Sequence, residues 1–242
     1  MSEALLTHAS GPGTPREATI YDVAEAAGVA PSTVSRALSK PGRISAPTEA
    51  RIRAIAERLN FRVNPTARAL HSGRTRTLAL VVADITNPIV FGIVRGAEHA
   101  AAAAAGYTLV IAESQESGRH EAKTMEELLP SVDGLVLATT RLPDVRIREI
   151  ARRKPVVLIN RLVAGVPGVL PDVAAGIDQL LKYLASEGHR AMVYLAGPEA
   201  SWISERRFEQ VLRNAEQIGL RIVEIGPITP TITGGHAGFR SS

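Results

Sequence analysis

Thr19-Ile-Tyr-Asp-Val-Ala-Glu-Ala-Ala-Gly28, running on into Val29-Ala-Pro-Ser-Thr-Val-Ser-Arg-Ala-Leu38, is the stretch from which the rest of this chain is read. A threonine with an acid three residues on, Thr19 and Asp22, marks a helix start. The hydroxyl accepts from an otherwise unpaired amide, and the carboxylate reaches back to the cap. Val23, Ala24 and Ala27 then recur at helical spacing, and Gly28 supplies the left-handed residue that closes a helix. Pro31 suits a first helical turn, Val34 and Leu38 lie one turn apart, and Pro41-Gly42 ends the segment. The pattern predicts two short helices joined by a tight turn.

Working outward, Ser45 is expected to cap a third helix. Its inner face is Ile52, Ile55, Ala56 and Leu59, and its outer face carries Arg51, Arg53, Glu57 and Arg58. Asn64-Pro65 opens a fourth helix that reaches only to Gly73. That is shorter than the roughly 12 to 15 residues at which isolated helices become even marginal, so it needs a partner to form. Residues 1–18 lack the basic start and apolar run of a signal peptide and read as a disordered extension.

From Thr77 the pattern changes. Leu78–Val82, Tyr107–Ala112, Gly134–Ala138 and Val156–Ile159 are short, apolar and rich in β-branched residues, and helical stretches separate them. This is the signature of a buried parallel sheet. The alanine run 100–105 falls within one of the helices. After Asn160-Arg161 a second set begins: an extended piece at Gly168–Leu170, a helix over Asp172–Glu187, a strand Met192–Ala196, a helix to Gly219 and a strand Arg221–Ile225. The tail from Pro227 to Ser242 shows no periodicity.

Composition sets bounds on function. The net charge is +4, and residues 1–76 hold 11 Lys and Arg against 6 Asp and Glu while the remainder holds 17 against 18. A basic head on a neutral body points to a polyanion at the head. The absence of cysteine excludes disulfides and thiolate chemistry and suits a reducing, cytoplasmic setting. No apolar run is long enough to span a membrane. The six histidines are scattered, and no nucleophile-elbow or phosphate-loop motif occurs, so the chain does not read as an enzyme.

The segment Thr19–Leu38 resembles the head of the lactose/galactose repressor family of bacterial transcription regulators. The resemblance persists through Ser45, Arg53, Leu59, Asn64-Pro65, Ala67-Arg68 and Leu70. It continues through Asp84-Ile-Thr-Asn-Pro88, Gly96, Gly106-Tyr107, Asp133-Gly134, Asn160-Arg161, Asp172, Gly176, Gly188-His189-Arg190 and Ser201–Arg207. It implies an all-α helix-turn-helix head and an α/β sensor domain like the periplasmic binding proteins, a doubly wound parallel sheet. The implied divisions are a helix-turn-helix domain at 19–63, a hinge helix and linker at 64–76, a sensor N-subdomain at 77–161 and a partial C-subdomain at 162–242. Gln210 stands where that family usually has glycine, and Gly234-Gly235 to Phe239 resemble the start of a later family helix. The second lobe is therefore expected to be incomplete.

The resemblance also assigns residues. A recognition helix enters the major groove by its first turn, which places Ser32, Ser35 and Arg36 at base edges; Arg36 reads guanine, whose O6 and N7 match a guanidinium. Pro31 has no N–H to donate. Thr19, Tyr21, Thr33, Ser45 and Asn64 hold phosphates, or serve only as caps where they start helices. Ala67, Arg68 and Leu70 belong to the hinge, where paired helices drive leucine between base steps. Asp84, Ile89, Phe91, Asn160, Arg161, Trp202 and Arg207 are the effector-binding candidates, with Arg161 alternatively a hinge clamp and Phe91 alternatively core. The implied partners are palindromic operator DNA, a sugar-like effector and, if the sensor is intact, a second copy of the chain. No cofactor or metal is implied. A non-inducible DNA-binding relative and a cytoplasmic sugar-binding module are the alternatives.

Overall fold

A computed structural model describes residues 18–39, 42–62, 73–103 and 106–240. Residues 1–17 of the expected extension, and the expected hinge helix after Asn64, lie outside them. The chain divides at Gly73 into two compact units.

The first unit holds α1 (Ile20–Ala27), α2 (Pro31–Ser39) and α3 (Ala46–Arg58). Thr19 and Asp22 form the expected reciprocal cap. The Thr19 N–H donates to Asp22 Oδ2 at 2.6 Å, and Thr19 Oγ1 accepts from the Asp22 N–H at 3.4 Å. Gly28 closes α1 at φ 62, a conformation that a Cβ disfavours. None of the three helices is long enough to stand alone, so the unit rests on Val23, Ala24, Ala27, Val34, Ala37, Ile52, Ile55 and Ala56. Each large member of that core contributes on the order of 1.5 to 3 kcal/mol by leaving water. Ser45 occupies the N-cap position of α3, but its Oγ pairs with Thr48 Oγ1 at 2.8 Å and caps no backbone N–H.

The second unit opens with β1 (Thr77–Val82), α4 (Pro88–Ala103), β2 (Thr108–Glu113), α5 (Gly118–Leu128), β3 (Gly134–Ala138), α6 (Asp144–Arg153), β4 (Val156–Ile159) and β5 (Gly168–Val169). These strands form one parallel sheet in the order β2-β1-β3-β4-β5. Alternation along β1 separates its two faces. Ala79 and Val81 join Met125, Leu137, Ile147 and Leu158 under α5 and α6, whereas Leu80 and Val82 pack with Val90 and Ala138 under α4.

The chain continues with α7 (Val173–Ser186), β6 (Ala191–Leu195), α8 (Trp202–Gln217), β7 (Arg221–Ile225) and α9 (Ile232–Arg240). β6 and β7 pair in parallel as a separate two-stranded sheet. On one face Met192, Tyr194 and Ile222 pack with Ile177 and Leu181 of α7 and Val211 and Ala215 of α8. On the other, Val193, Leu195 and Val223 are exposed.

One expectation is corrected. The extended piece at Gly168 belongs to the first sheet, not to the second lobe. The Leu158 N–H donates to Pro167 O at 2.9 Å and the Asn160 N–H to Val169 O at 3.0 Å, so β5 satisfies the open edge of β4. The tail from Pro227, which lacks periodicity, contains α9, in agreement with the helix that the resemblance implied from Gly234; the Gly234 N–H donates to Thr231 Oγ1 at 3.1 Å, a hydroxyl cap that supplies the start hydrophobic spacing did not mark. Thr19→Ala is expected to cost the head about 0.5 to 2 kcal/mol, seen as faster hydrogen exchange of the α1 amides with exchange in the second unit unchanged.

Candidate nucleic-acid interface and sensor cleft

The head presents α2 by an amphipathic division. Val34 and Ala37 are buried against α1 and α3, while Ser32, Ser35 and Arg36 lie on the opposite, exposed face. The start of α2 is held by the backbone: Ala30 O accepts from the Thr33 N–H at 2.8 Å. Ser39 Oγ donates to Ser35 O at 2.6 Å. Among the described residues Arg36, Arg43 and Arg51 form no ion pair, whereas Arg53 is committed to Glu49 at 2.8 Å. A donation from the Gly42 N–H, then Arg53, hold the Glu49 carboxyl below its usual range. Tyr21 is 70% exposed on α1, and Thr33 is half-buried. The Thr19 hydroxyl is engaged by Asp22, and Ser45 is exposed beside Thr48. Asn64, Ala67, Arg68 and Leu70 lie outside the described residues.

In the second unit the candidates follow the carboxyl ends of strands in two separate sheets, where strands release their chains into loops. Asp84 follows β1 and accepts at Oδ1 from the Thr86 N–H and hydroxyl, at 2.8 and 2.6 Å. Ile89 and Phe91, in the first turn of α4, are 69% and 53% exposed, so Phe91 is not core. Asn160 follows β4 in the left-handed conformation at φ 61. Trp202 begins α8 after β6, with the Arg206 guanidinium 5.6 Å from its ring centroid. Arg207 is exposed one residue further. Trp202 lines a cavity of about 330 Å³ with Asp172, Arg206, Gln210 and Arg213; the other candidates do not line it. The structure thus places them along strand ends without joining them in one closed pocket.

Arg161 is the exception to exposure. It is buried, with Nη2 donating to Asp144 Oδ1 at 2.8 Å and Nη1 to Thr140 O at 3.2 Å, while Nε has no partner. Its neighbour in this floor is Arg141. That residue donates from Nε to Glu116 Oε2 at 2.8 Å and from Nη1 to Thr139 O at 2.7 Å, and its backbone N–H donates to Glu121 Oε2 at 2.7 Å. Glu121 is 1% exposed, and burial pushes its carboxyl above the usual glutamate range against the opposing pull of Thr140, Arg141 and Arg161. A Cβ on Gly118 would meet Arg141 O at 2.8 Å, so the loops close on each other here. Gln115, Glu116, Thr139 and Asn160 all adopt positive φ at these strand ends, a cost sustained only where surrounding bonds impose it.

Residues 19–64 match the family described as bacterial regulatory proteins, lacI family, and residues 75–238 match the periplasmic binding proteins and sugar binding domain of LacI family. The chain belongs to the LacI family. The HTH-type transcriptional repressor CytR of Escherichia coli strain K12 is 30% identical over 210 residues, covering 85% of this chain and 61% of CytR. The ribose operon repressor of Bacillus subtilis strain 168 is also 30% identical over 210 residues, covering 86% and 64%. The chain therefore spans under two thirds of the length of these relatives. Among solved structures, the lac repressor dimer bound to operator and the anti-inducer ONPF superposes with a TM-score of 0.78 at 20% identity, covering 91% of this chain and 68% of that one. That likeness establishes the LacI-type fold: a helical head and a parallel-sheet α/β unit.

The ion network around Glu121 in this LacI-family chain was not anticipated. One signal was legible, since Glu121 shares the inward stripe of α5 with Met125, and a carboxylate on a core-facing stripe calls for a partner. Which partner it takes depends on loops meeting from three strands. Because the Glu121 pKa is raised in the fold, its ionisation weakens the folded state as pH climbs from the ordinary glutamate pKa to the raised one. Glu121→Gln removes that penalty. Relative to wild type, the variant's urea midpoint should therefore improve as pH is raised above the ordinary glutamate pKa.

Proposed function

We propose that the chain is a sequence-specific DNA-binding transcription regulator, a repressor that responds to a sugar or related small molecule. The observation that carries this reading is the exposed face of α2, where Ser32, Ser35 and an unpaired Arg36 stand clear of a core that fixes the helix behind them. A guanidinium held this way suits guanine O6 and N7, and the flanking hydroxyls suit base edges or phosphates. Thr19, Tyr21, Thr33 and Ser45 are assigned to phosphates, and Asn64, Ala67, Arg68 and Leu70 to the hinge. The relatives are named as repressors, which supports a regulator rather than an enzyme.

One head reads only a half-site, so the reading includes a homodimer on a palindromic operator. Apolar groups stand ready for a second copy: Val110 and Ile111 on edge strand β2 are 37% and 38% exposed. For the effector we assign Asp84, Ile89, Phe91, Asn160, Arg161, Trp202 and Arg207, with apolar groups on sugar faces and charged groups on hydroxyls. Arg161 reaches the ligand only if its bond to Asp144 gives way. The transcriptional regulator CelR–cellobiose complex, at 25% identity and a TM-score of 0.56, supports a carbohydrate in such a unit. We place the protein in the cytoplasm with its DNA. Among the described residues no helix is long and apolar enough to cross a membrane.

The test is a titration of the full chain onto a duplex selected from a random pool, beside its scrambled counterpart at one salt concentration. Arg36→Ala should lose about 1 to 3 kcal/mol on the selected duplex and little on the scrambled one. Equal losses on both would reject base reading by Arg36.

A further inference from the structure

The sheet has a second polar knot, at its amino edge, where the chain enters the sensor unit from the linker. Asp133, the residue before β3, gathers three donors there. Thr75 gives its backbone N–H at 2.7 Å and its hydroxyl at 2.9 Å to Oδ1, and the Arg76 N–H reaches Oδ2 at 3.0 Å. The Asp133 N–H in turn donates to Thr77 O at 2.7 Å, and the Thr77 N–H donates to Thr75 Oγ1 at 3.2 Å. Arg76 O accepts from the Thr108 N–H at 2.9 Å, so strand β2 grips the same turn from its other side.

Between these bonds Arg76 is held at φ 52, a backbone conformation that an L side chain keeps only where its surroundings over-determine it. Burial alone would raise the Asp133 carboxyl. The donations from Thr75 and Arg76, with the nearby Lys154 ammonium, outweigh it and keep the group ionised. Lys154 is itself fixed, donating from Nζ to Val132 O at 2.7 Å. The paired residues of β1 begin at Thr77 against β2 and at Leu78 against β3, so the side-chain bonds of Asp133 act upstream of the ladder. The extra bonds act on Thr75 and Arg76, the last residues before the sheet and two positions beyond the division between the units.

We propose that Asp133 is a positioning residue for DNA reading: it clamps the root of the linker, Thr75-Arg76, to the amino edge of the sheet and so sets the direction in which the chain leaves toward the head. The proposal rests on the DNA-reading function above. A free root would leave two heads to find their half-sites by diffusion on loose tethers. A clamped root restricts that search before DNA arrives, so its loss is paid in specific affinity alone.

The experiment uses the full chain, a duplex selected from a random pool and its scrambled counterpart. Thermal unfolding followed by Trp202 fluorescence reports on the sensor. Asp133→Asn keeps the shape but turns one acceptor into a donor, and Thr75→Val removes the hydroxyl without touching the carboxylate. Each is expected to weaken binding to the selected duplex about tenfold, within the range of coupled neighbours in mutant cycles. Binding to the scrambled duplex should hold, the sensor should stay folded at the assay temperature although loss of these bonds lowers its unfolding temperature, and Thr75→Ser should restore wild-type binding. With two glycines inserted between Gly73 and Arg74 the root no longer aims the head, so neither variant should cost anything further. Wild-type affinity in both variants, or the same loss with and without the insertion, would overturn the proposal in favour of a purely structural clamp. Should the unaltered chain bind both duplexes equally, the DNA-reading function fails and the clamp, with no head to aim, falls with it.

Discussion

A parallel sheet whose central strand is apolar on both sides must be roofed on both sides, and the rest of the sensor unit follows from meeting that demand. In β1 the residues from Ala79 to Val82 are all buried, alternate ones facing α5 and α6 or α4. Parallel strands can be joined only by crossovers, so each strand hands its chain to a loop at the carboxyl edge and takes it back at the amino edge. Polar groups that cannot enter the layers collect at these two edges. The edges are therefore where charge and strain concentrate, and the layers between hold them at fixed separation.

The head solves a smaller version of the same problem. Eight buried residues are a minimal core, and each helix spends one face on it. What remains of α2 is a short polar face whose position is set by Val34 and Ala37 behind it. That arrangement converts a modest hydrophobic effect into a rigid presentation of Ser32, Ser35 and Arg36. A flexible loop carrying the same side chains would have to order itself on DNA at an entropic cost.

The two edges of the sheet play different parts. At the carboxyl edge Arg141 and Arg161 tie the loops after β2, β3 and β4 around buried Glu121, a costly arrangement unless every charge is met. At the amino edge Asp133 ties down the incoming chain. Strand β3 runs between them, with Asp133 before its first residue and Thr139-Thr140 after its last. The incoming chain and the buried ion network are thus carried by the same strand.

Much of this was legible from residue patterns. The cap at Thr19, the stop at Gly28, the strands Gly134–Ala138 and Val156–Ile159 and the alternation of strand and helix all depend on near neighbours in sequence, where propensity and hydrophobic period act. The resemblance to repressors likewise rested on contiguous motifs. Three things were decided only by tertiary structure: the pairing of β5 with β4, the enclosure of Glu121 and Arg161, and the three donors around Asp133. Each joins segments that are not neighbours in the chain, from Leu158 with Gly168 to Asp133 with Thr75, 58 residues back. Hydrogen bonds of that kind are chosen by which loops the sheet brings to one edge. A sequence states which residues are able to form them, but strand order and register select the partners.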